Sequence, residues 1–203
     1  MRFDLEIIAS WIPPGARILD LGCGTGELLS FLRDKKEAAC TGIDFSENNI
    51  QHCITKGLSV IHGDINEEVM DYADQAFDYV ILSQTLQQVY EPEALLNTLL
   101  RIGKNVVVSF PNFSHWRCRL QLFWQGEAPT TSQLPYSWYN SPNIRVITIK
   151  DFRTFALSSG FSILKEVAIN TDNQERKGSI IKILPTIRAT YGIFLIGGTF
   201  TNR

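Results

Sequence analysis

Residues 17–27, RILDLGCGTGE, carry the strongest structural signal in the chain. A short apolar run gives way to glycines at alternate positions, and Asp20 stands two residues before the first of them. A sharp turn after a buried strand needs glycine for its unusual backbone dihedrals and for the close approach of a ligand. The stretch therefore predicts a strand, a ligand-binding turn and the start of a helix.

Strand and helix signals alternate on both sides of this turn. Strands are predicted over 16–21, 39–44, 58–64, 77–83, 105–110, 161–169 and 190–196, and helices over 3–12, 26–36, 46–56, from 91 and over 149–160. Such alternation at βαβ spacing predicts a parallel sheet wrapped by helices, and right-handed crossovers make it doubly wound. The 203 residues suit one domain over 1–203.

Residues 111–148 interrupt the alternation. They separate the fifth predicted strand from the next convincing helix by several times the length of an ordinary connection in an α/β fold. We interpret 111–148 as an insertion or lid within the single domain. A second irregular stretch, over 170–179, is polar and is predicted to be mobile.

The glycine turn could bind a dinucleotide or a methyl donor. The dinucleotide pattern is G-x-G-x-x-G, but Glu27 stands here in place of the third glycine. The Asp20 carboxylate would repel a pyrophosphate and attract an ammonium group. S-adenosylmethionine carries an ammonium and a sulfonium and has no phosphate. The residues therefore favour S-adenosylmethionine or S-adenosylhomocysteine over a nicotinamide dinucleotide.

Polar residues at the ends of the following strands agree with this ligand. Asp44 stands where a carboxylate takes ribose hydroxyls, Asp64 could accept from an adenine amino group, and Ser83 would cover the methionine end. Each carboxylate has an alternative interpretation as the cap of a local amide. The predicted cofactor-binding residues are Asp20, Gly22, Cys23, Gly24, Gly26, Asp44, Phe45, Asp64, Ile65 and Ser83.

Composition limits the class of partner. The formal net charge of −2 gives no electrostatic footprint for nucleic acid. No secretory signal and no run long enough to span a membrane is evident. The four cysteines form no CxxC pair, which indicates reduced thiols in a cytoplasmic protein. The spacing of Cys53 and His62 fits no known metal site, so we predict no metal.

The motifs LDLGCGTGELL, GIDFS, GDI and FDYVILSQTLQQV resemble those of the class I S-adenosylmethionine-dependent methyltransferases. That resemblance implies a Rossmann-like, mostly parallel seven-stranded sheet with an antiparallel C-terminal strand.

Further segments resemble the methionine biosynthesis protein MetW family over nearly the whole chain: WIPPGARILDLGCGTGELL, LSQTLQQV, VVVSFPNFSHWRCRLQL, LPYSWYNSPNIRVITIKDF and LPTIRATYGIFLI. The family implies a protein of methionine synthesis that acts with a homoserine O-acetyl- or O-succinyltransferase. A methyltransferase acting on a small-molecule acceptor is the alternative.

The sequence offers weak candidates for catalysis. Many small-molecule methyltransferases of similar pattern have a histidine where this chain has Gln88, and glutamine cannot take a proton. His115 could be a base, although a histidine beside tryptophan is more often packed and hydrogen-bonded. Asn112 could orient an acceptor or merely form an Asx turn.

Aromatic residues in 111–148 form the candidate substrate or partner site: Trp116, Tyr136, Trp138 and Tyr139. In HWRCRLQLFW the helical spacing places Trp116, Leu120 and Phe123 or Trp124 on one face. We favour the interpretation that this face packs on the sheet. The alternative is a surface that docks a partner, since tryptophan, tyrosine and arginine anchor interfaces.

Overall fold

The computed structural model describes residues 1–171 and 177–198. Five of the ten residues of the polar stretch predicted to be mobile, 172–176, lie outside the described residues. The helices are α1 (Phe3–Trp11), α2 (Glu27–Lys36), α3 (Glu47–Thr55), α4 (Ile65–Glu68), α5 (Pro92–Ile102), α6 (Trp116–Gln125), α7 (Ile149–Ser158) and α8 (Pro185–Arg188). The strands are β1 (Arg17–Leu21), β2 (Ala39–Asp44), β3 (Ser59–His62), β4 (Phe77–Ser83), β5 (Gly103–Pro111), β6 (Phe161–Thr171), β7 (Gly178–Ile180) and β8 (Tyr191–Gly198).

The described strands form one mixed sheet in the order β3-β2-β1-β4-β5-β8-β6-β7. The first five strands pair in parallel, and β8 runs antiparallel between β5 and β6. This confirms the predicted α/β, doubly wound, mostly parallel sheet with an antiparallel C-terminal strand.

The eighth strand, β7, was not predicted. It has three exposed residues that pair with Ile169–Thr171 at the edge of the sheet. So short and exposed a strand needs no apolar alternation, which is why the sequence pattern does not reveal it.

The sheet is buried on both faces. Val106 and Val108 of β5 pack into the hydrophobic cluster on one face, whereas Val107 between them packs into the cluster that contains α1. Successive side chains of a strand point to opposite faces, so a strand covered on both sides reads as an unbroken apolar run. The valines of NVVVSF are that run.

Helix ends follow their capping residues. The Ser46 hydroxyl accepts a hydrogen bond from the Asn49 amide at the start of α3, as its sequence predicts. Pro92 occupies the first turn of α5, where its missing amide hydrogen costs nothing.

The predicted packing of α6 on the sheet is wrong. Its apolar stripe, which we call the α6 stripe, faces solvent: Trp116, Leu120, Phe123 and Trp124 have exposed fractions of 44, 45, 73 and 76%. Cys118, on the other side of the helix, is its buried residue. The helical spacing was right, but the stripe points away from the sheet instead of onto it.

The irregular chain after α6 is tied down at several points. Leu134 is buried, and the backbone amides of Ile144 and Arg145 both donate to the Gln87 carbonyl, at 2.9 and 3.0 Å. Gln87 belongs to the turn that follows β4, so this part of the 111–148 segment is fastened beside the carboxyl edge of the sheet.

Candidate functional site

A cavity of about 860 Å³ opens at the carboxyl edge of the parallel strands. This is the edge at which open α/β sheets bind ligands. The size is within the range of small-molecule and cofactor pockets. Nine of the ten residues predicted to bind a cofactor line it: Asp20, Gly22, Cys23, Gly24, Asp44, Phe45, Asp64, Ile65 and Ser83.

The tenth, Gly26, does not line the cavity. Its φ is +72°, and a Cβ built there would lie 2.4 Å from the Leu58 side chain and 2.8 Å from the Cys53 sulfur. Gly26 is therefore required by the packing of the turn against α3, on the side away from the cavity. Its spacing in the motif suggested ligand contact because the motif does not reveal which side of the turn a glycine faces.

Gly22 and Gly24 do face the cavity. Both have positive φ, and a Cβ on Gly22 would lie 2.6 Å from the Thr85 hydroxyl, whereas a Cβ on Gly24 would meet nothing within 4 Å. The space over the Cα of Gly24 is therefore open, while its amide donates to Asp44.

Asp20 is a buried carboxylate without a local partner. Its exposed fraction is 3%, it lines the cavity, and it accepts no hydrogen bond from the part of the chain that the structure describes. Burial raises the pKa of Asp20 to about 7, while the Arg2 guanidinium opposes this rise and Asp44 adds to it. The ionised form of a buried carboxylate is costly, and a cationic ligand beside it would stabilise that form.

Asp44 connects β2 to the glycine turn. Its Oδ2 accepts from the Gly24 amide at 2.7 Å, and its Oδ1 accepts from the Ser46 amide at 2.9 Å and the Asn49 side chain at 3.0 Å. The alternative interpretation of Asp44 as a cap of local amides therefore applies to its Oδ1 atom. Oδ2 has a single donor and keeps a lone pair free for another, such as a hydroxyl.

Asp64 and its neighbours form the open wall. The Asp64 Oδ1 accepts from the Asn66 amide and side chain, both at 2.8 Å, so it caps α4. Phe45 and Ile65 line the cavity beside it, and the Phe45 ring is 78% exposed. An apolar wall with a carboxylate at its rim can take a flat ring that carries an amino group.

The sequence missed Arg2. It lines the cavity and donates through Nε and Nη2 to the two oxygens of buried Asp4, at 3.2 and 2.9 Å. Asp4 also accepts from the Gln84 side chain at 2.7 Å, which ties α1 to the turn after β4. No motif includes Arg2, because packing of α1 on the sheet brings it to the cavity.

The two catalytic candidates, Asn112 and His115, do not line the cavity. Asn112 donates to the carbonyls of Thr186 and Ala189, at 3.0 and 2.8 Å, and accepts from the Ser114 hydroxyl and amide. It forms the Asx turn that was the alternative interpretation.

His115 is buried and caps α6 by accepting from the Arg117 amide through Nδ1. Burial lowers the pKa of His115, and Arg117 lowers it further. It is the packed histidine expected beside a tryptophan, and its ring lies 5.7 Å from that of Trp116.

Of the four aromatic residues predicted for substrate or partner, Tyr136 lines the cavity. Trp116, Trp138 and Tyr139 lie outside it, and the latter two are 80 and 73% exposed and pack edge to face on each other. Their aromatic character does not distinguish a cage around a substrate from an outer surface, which is why the sequence grouped them.

The family model for the methionine biosynthesis protein MetW matches residues 2–196. The chain belongs to this family. It is 35% identical over 185 residues to the bifunctional methionine biosynthesis protein MetXA/MetW of Rhodopirellula baltica, a match that covers 87% of this chain and 30% of that protein. The MetW-family chain spans less than half the length of the curated relatives it matches.

Solved structures share the fold of this MetW-family chain. An S-adenosylmethionine-dependent methyltransferase from Archaeoglobus fulgidus aligns with a TM-score of 0.71 and 16% identity, over 96% of this chain and 91% of the other. The [4+2]-cyclase SpnF aligns with a TM-score of 0.66 and 18% identity, over 96% and 80%. The fold is therefore that of the Rossmann-like S-adenosylmethionine-dependent methyltransferases.

Other kinds of site find less support in this MetW-family protein. Within residues 1–171 and 177–198, no three His, Cys, Asp or Glu side chains form a group that could hold a metal ion. No helix among the same residues has both the length and the apolar character needed to cross a membrane.

Proposed function

We propose that this MetW-family protein binds S-adenosylmethionine or S-adenosylhomocysteine in the carboxyl-edge cavity and regulates a homoserine O-acetyl- or O-succinyltransferase in the cytoplasm. The observation that carries the ligand is the unpartnered Asp20 carboxylate, buried beside accessible glycine backbone. A dinucleotide would bring phosphates to this anion, and their mutual repulsion in a buried site would weaken binding.

The side chains around the cavity match the remaining parts of the ligand. Asp20 would hold the ammonium, the free lone pair of Asp44 a ribose hydroxyl, and Asp64 the adenine amino group, with Phe45 and Ile65 against the ring. S-adenosylmethionine supplies, when bound, a methyl group on a positively charged sulfur. These carboxylates would repel a phosphate, and the described residues form no group that could hold a metal ion.

A partner is supported by two independent features. The MetXA/MetW relative joins a MetW-like part to a second protein in one chain, and fused proteins commonly act together. In addition, the α6 stripe presents exposed apolar and aromatic side chains of the type that anchor interfaces. We therefore assign the 111–148 segment of the single domain to docking of the acyltransferase.

The cavity lining favours regulation over catalysis. The described residues that line it include no histidine, and they include Gln88, whose side chain cannot take a proton. The alternative function is methyl transfer to a small acceptor. Tyr90 and Tyr136 line the cavity with exposed fractions of 77 and 48%, and they favour it because they could hold an apolar acceptor. The cyclase SpnF illustrates that this fold also serves reactions named otherwise.

Calorimetric titration with S-adenosylmethionine tests the ligand. We expect wild-type binding that Asp20→Asn weakens by about 1.5–3 kcal/mol, because a hydrogen bond to a charged group is lost. The control is Asp34→Asn, a surface carboxylate paired with its neighbour Arg33, which should leave the Kd unchanged. Equal binding by wild type and Asp20→Asn would contradict the assignment.

Co-purification with the acyltransferase tests the partner. Wild-type protein should associate with it and change its acyl-transfer rate, in a manner that depends on S-adenosylhomocysteine. Incubation with labelled S-adenosylmethionine and a metabolite extract tests the alternative. Labelled product without any effect on acyltransferase would favour methyl transfer over regulation.

A further inference from the structure

Helix α6 is exposed around most of its circumference. Eight of its ten residues are exposed, and Cys118 is its one buried residue. Caps fix both of its ends: the His115 ring accepts from the Arg117 amide, and the Gly126 amide donates to the Leu122 carbonyl at 3.1 Å. The helix is therefore already formed before it meets a partner, which lowers the entropic cost of binding through it.

The α6 stripe has an arginine along each of its edges. A helix turns by about 100° per residue, which places Leu120 near the centre of the stripe. The same geometry places Arg117 on the edge where Trp124 lies and Arg119 on the edge where Phe123 lies. The helix contains no aspartate or glutamate. An apolar surface is thus bordered on both sides by positive charge alone.

Both arginines are held in place without an ion pair. The guanidinium carbon of Arg117 lies 5.4 Å from the centre of the Trp116 ring, and Arg119 donates through Nε to the Ser114 carbonyl at 2.7 Å. Neither pairs with a carboxylate in the part of the chain that the structure describes. Their charges are therefore available to carboxylates of another molecule.

The positive charge is local to the segment that contains α6. Residues 111–148 include three arginines and one glutamate, whereas the whole chain has a formal net charge of −2. An anionic membrane would repel the rest of the chain, so a protein surface fits the segment better than a lipid one. Complementary charge across a protein interface speeds association and selects the partner.

We propose that α6 enters a groove on its partner, with the stripe on an apolar floor and with Arg117 and Arg119 against carboxylates on the two walls. Helices that bind in grooves use anchors at positions i, i+4 and i+7, which Trp116, Leu120 and Phe123 supply. This inference rests on the proposed function, in which the partner is the homoserine O-acyltransferase. It specifies the chemistry by which that partner recognises the chain.

Two leucines of α6 test which side of the helix the partner contacts. Leu120 and Leu122 are 45 and 58% exposed, but they lie about 200° apart around the helix. In calorimetric titration of the full chain with the acyltransferase, Leu120→Ala should weaken binding about tenfold, because it removes a central anchor. Leu122→Ala is the matched control and should stay within about twofold of wild type.

Reversal of the two edge charges tests the groove walls. Arg117→Glu with Arg119→Glu should slow association and weaken binding about tenfold or more, because repulsion replaces attraction. The wild-type affinity should fall as salt is added, and the reversed variant should lose this dependence. Arg117→Lys with Arg119→Lys should keep most of the affinity. The control Lys35→Glu with Lys150→Glu changes the net charge equally at exposed positions on α2 and α7, and should stay within about threefold.

The outcomes separate this inference from the proposed function. If the acyltransferase binds wild type but Leu120→Ala and Leu122→Ala weaken binding equally, or if the charge reversal weakens it no more than the lysine control, the groove is overturned and the partnership stands. If the acyltransferase does not bind wild type, the proposed function fails and this inference fails with it. Thermal unfolding of each variant checks that the fold is intact.

Two other occupants of the α6 stripe would also overturn the groove. One is a second copy of the chain, which sedimentation would reveal as a wild-type dimer that Leu120→Ala dissociates. The other is a lipid surface, which would appear as wild-type binding to vesicles of phosphatidylcholine and phosphatidylserine that Leu120→Ala weakens. We expect a monomer in sedimentation at the concentrations used for titration, and no binding to the vesicles.

Discussion

The carboxyl-edge cavity and the α6 stripe use polar and apolar groups in opposite ways. Around the cavity, buried carboxylates are held in fixed directions: Asp4 by Arg2 and Gln84, and Asp44 by the Gly24 amide. On α6, the large aromatic side chains of Phe123 and Trp124 are exposed to solvent, and their rings pack edge to face. The described residues of this chain surround the cavity, whereas they leave the stripe exposed.

The two regions differ in how much they reveal about what they bind. The charge and shape of a preorganised cavity indicate the chemistry of its ligand, because its polar groups are already held in fixed directions. An exposed apolar stripe does not identify what it contacts, since the hydrophobic effect has no direction. The bifunctional MetXA/MetW relative is the reason why we propose an acyltransferase as the partner. Matched substitutions in the two regions can test whether they differ in this way.

Phe152→Ala should have the largest effect. Phe152 is 2% exposed and its ring lies 5.0 and 4.6 Å from those of Phe110 and Phe194. Emptying this site should lower the free energy of unfolding by about 3–5 kcal/mol, because a cavity remains. Urea denaturation measures it, with Phe123→Ala as the matched aromatic on α6. A similar loss for both variants would mean that α6 is packed after all.

The glycine turn comes next. Gly26→Ala should cost about 2–4 kcal/mol, because the new methyl would collide with Leu58 and Cys53 in addition to the strain of positive φ. Gly24→Ala carries the strain but meets no atom, so about 1 kcal/mol is expected. Equal costs in urea denaturation would show that Gly26 is not in the packing contact described.

The affinity for S-adenosylhomocysteine should depend on pH through Asp20. Its pKa is raised to about 7 in the folded protein, so lowering the pH below that value protonates the carboxylate and removes its attraction for the ammonium. Between pH 7.5 and 6 the affinity should fall about tenfold. Asp20→Asn should abolish this dependence, and an unchanged slope in the variant would exclude Asp20 as its origin.

The stability of the ligand-free protein should change in the same pH range with a defined sign. Between the ordinary carboxyl pKa of 3.8 and about 7, the folded protein keeps a proton on Asp20 that the unfolded chain has lost. Stability from this group therefore falls as pH rises through that window and stays constant above it. Comparing urea midpoints of wild type and Asp20→Asn at pH 5 and pH 8 checks the sign.

The double substitution Phe123→Ser with Trp124→Ser should have the smallest effect on the isolated chain. Both residues are largely exposed, so the free energy of unfolding should stay within about 0.5 kcal/mol of wild type. The Kd for S-adenosylhomocysteine should also stay unchanged, while co-purification with the acyltransferase is lost. If the variant still co-purifies with the acyltransferase, the α6 stripe is not the docking surface.

Much of the fold, and nine of the residues that line the cavity, could be predicted because their signals are local. Asp20 lies near the end of β1, Asp44 is the last residue of β2 and Asp64 follows β3, and parallel strands bring their carboxyl ends to one edge. The fold prediction succeeded for the same reason. Strand ends and glycine turns depend on residues that are adjacent in the sequence.

The errors concern information that is not local. Gly26 was assigned to the ligand because its neighbours Cys53 and Leu58 are distant in sequence. Arg2 was missed because the packing of α1 alone brings it to the cavity. The α6 stripe was expected on the sheet because periodicity tells which residues share a face and not what that face contacts. His115 and Asn112 drew attention by residue type, whereas their contacts are those of a cap and a turn.

A crystal structure of the protein with S-adenosylhomocysteine tests the central claim most directly. We predict the ligand nitrogen within hydrogen-bonding distance of the Asp20 carboxylate, with the ribose at Asp44 and the adenine beside Ile65. Crystals grown with saturating ligand that leave this corner empty, or that place a phosphate or a hydroxyl there instead of the ammonium, would contradict it.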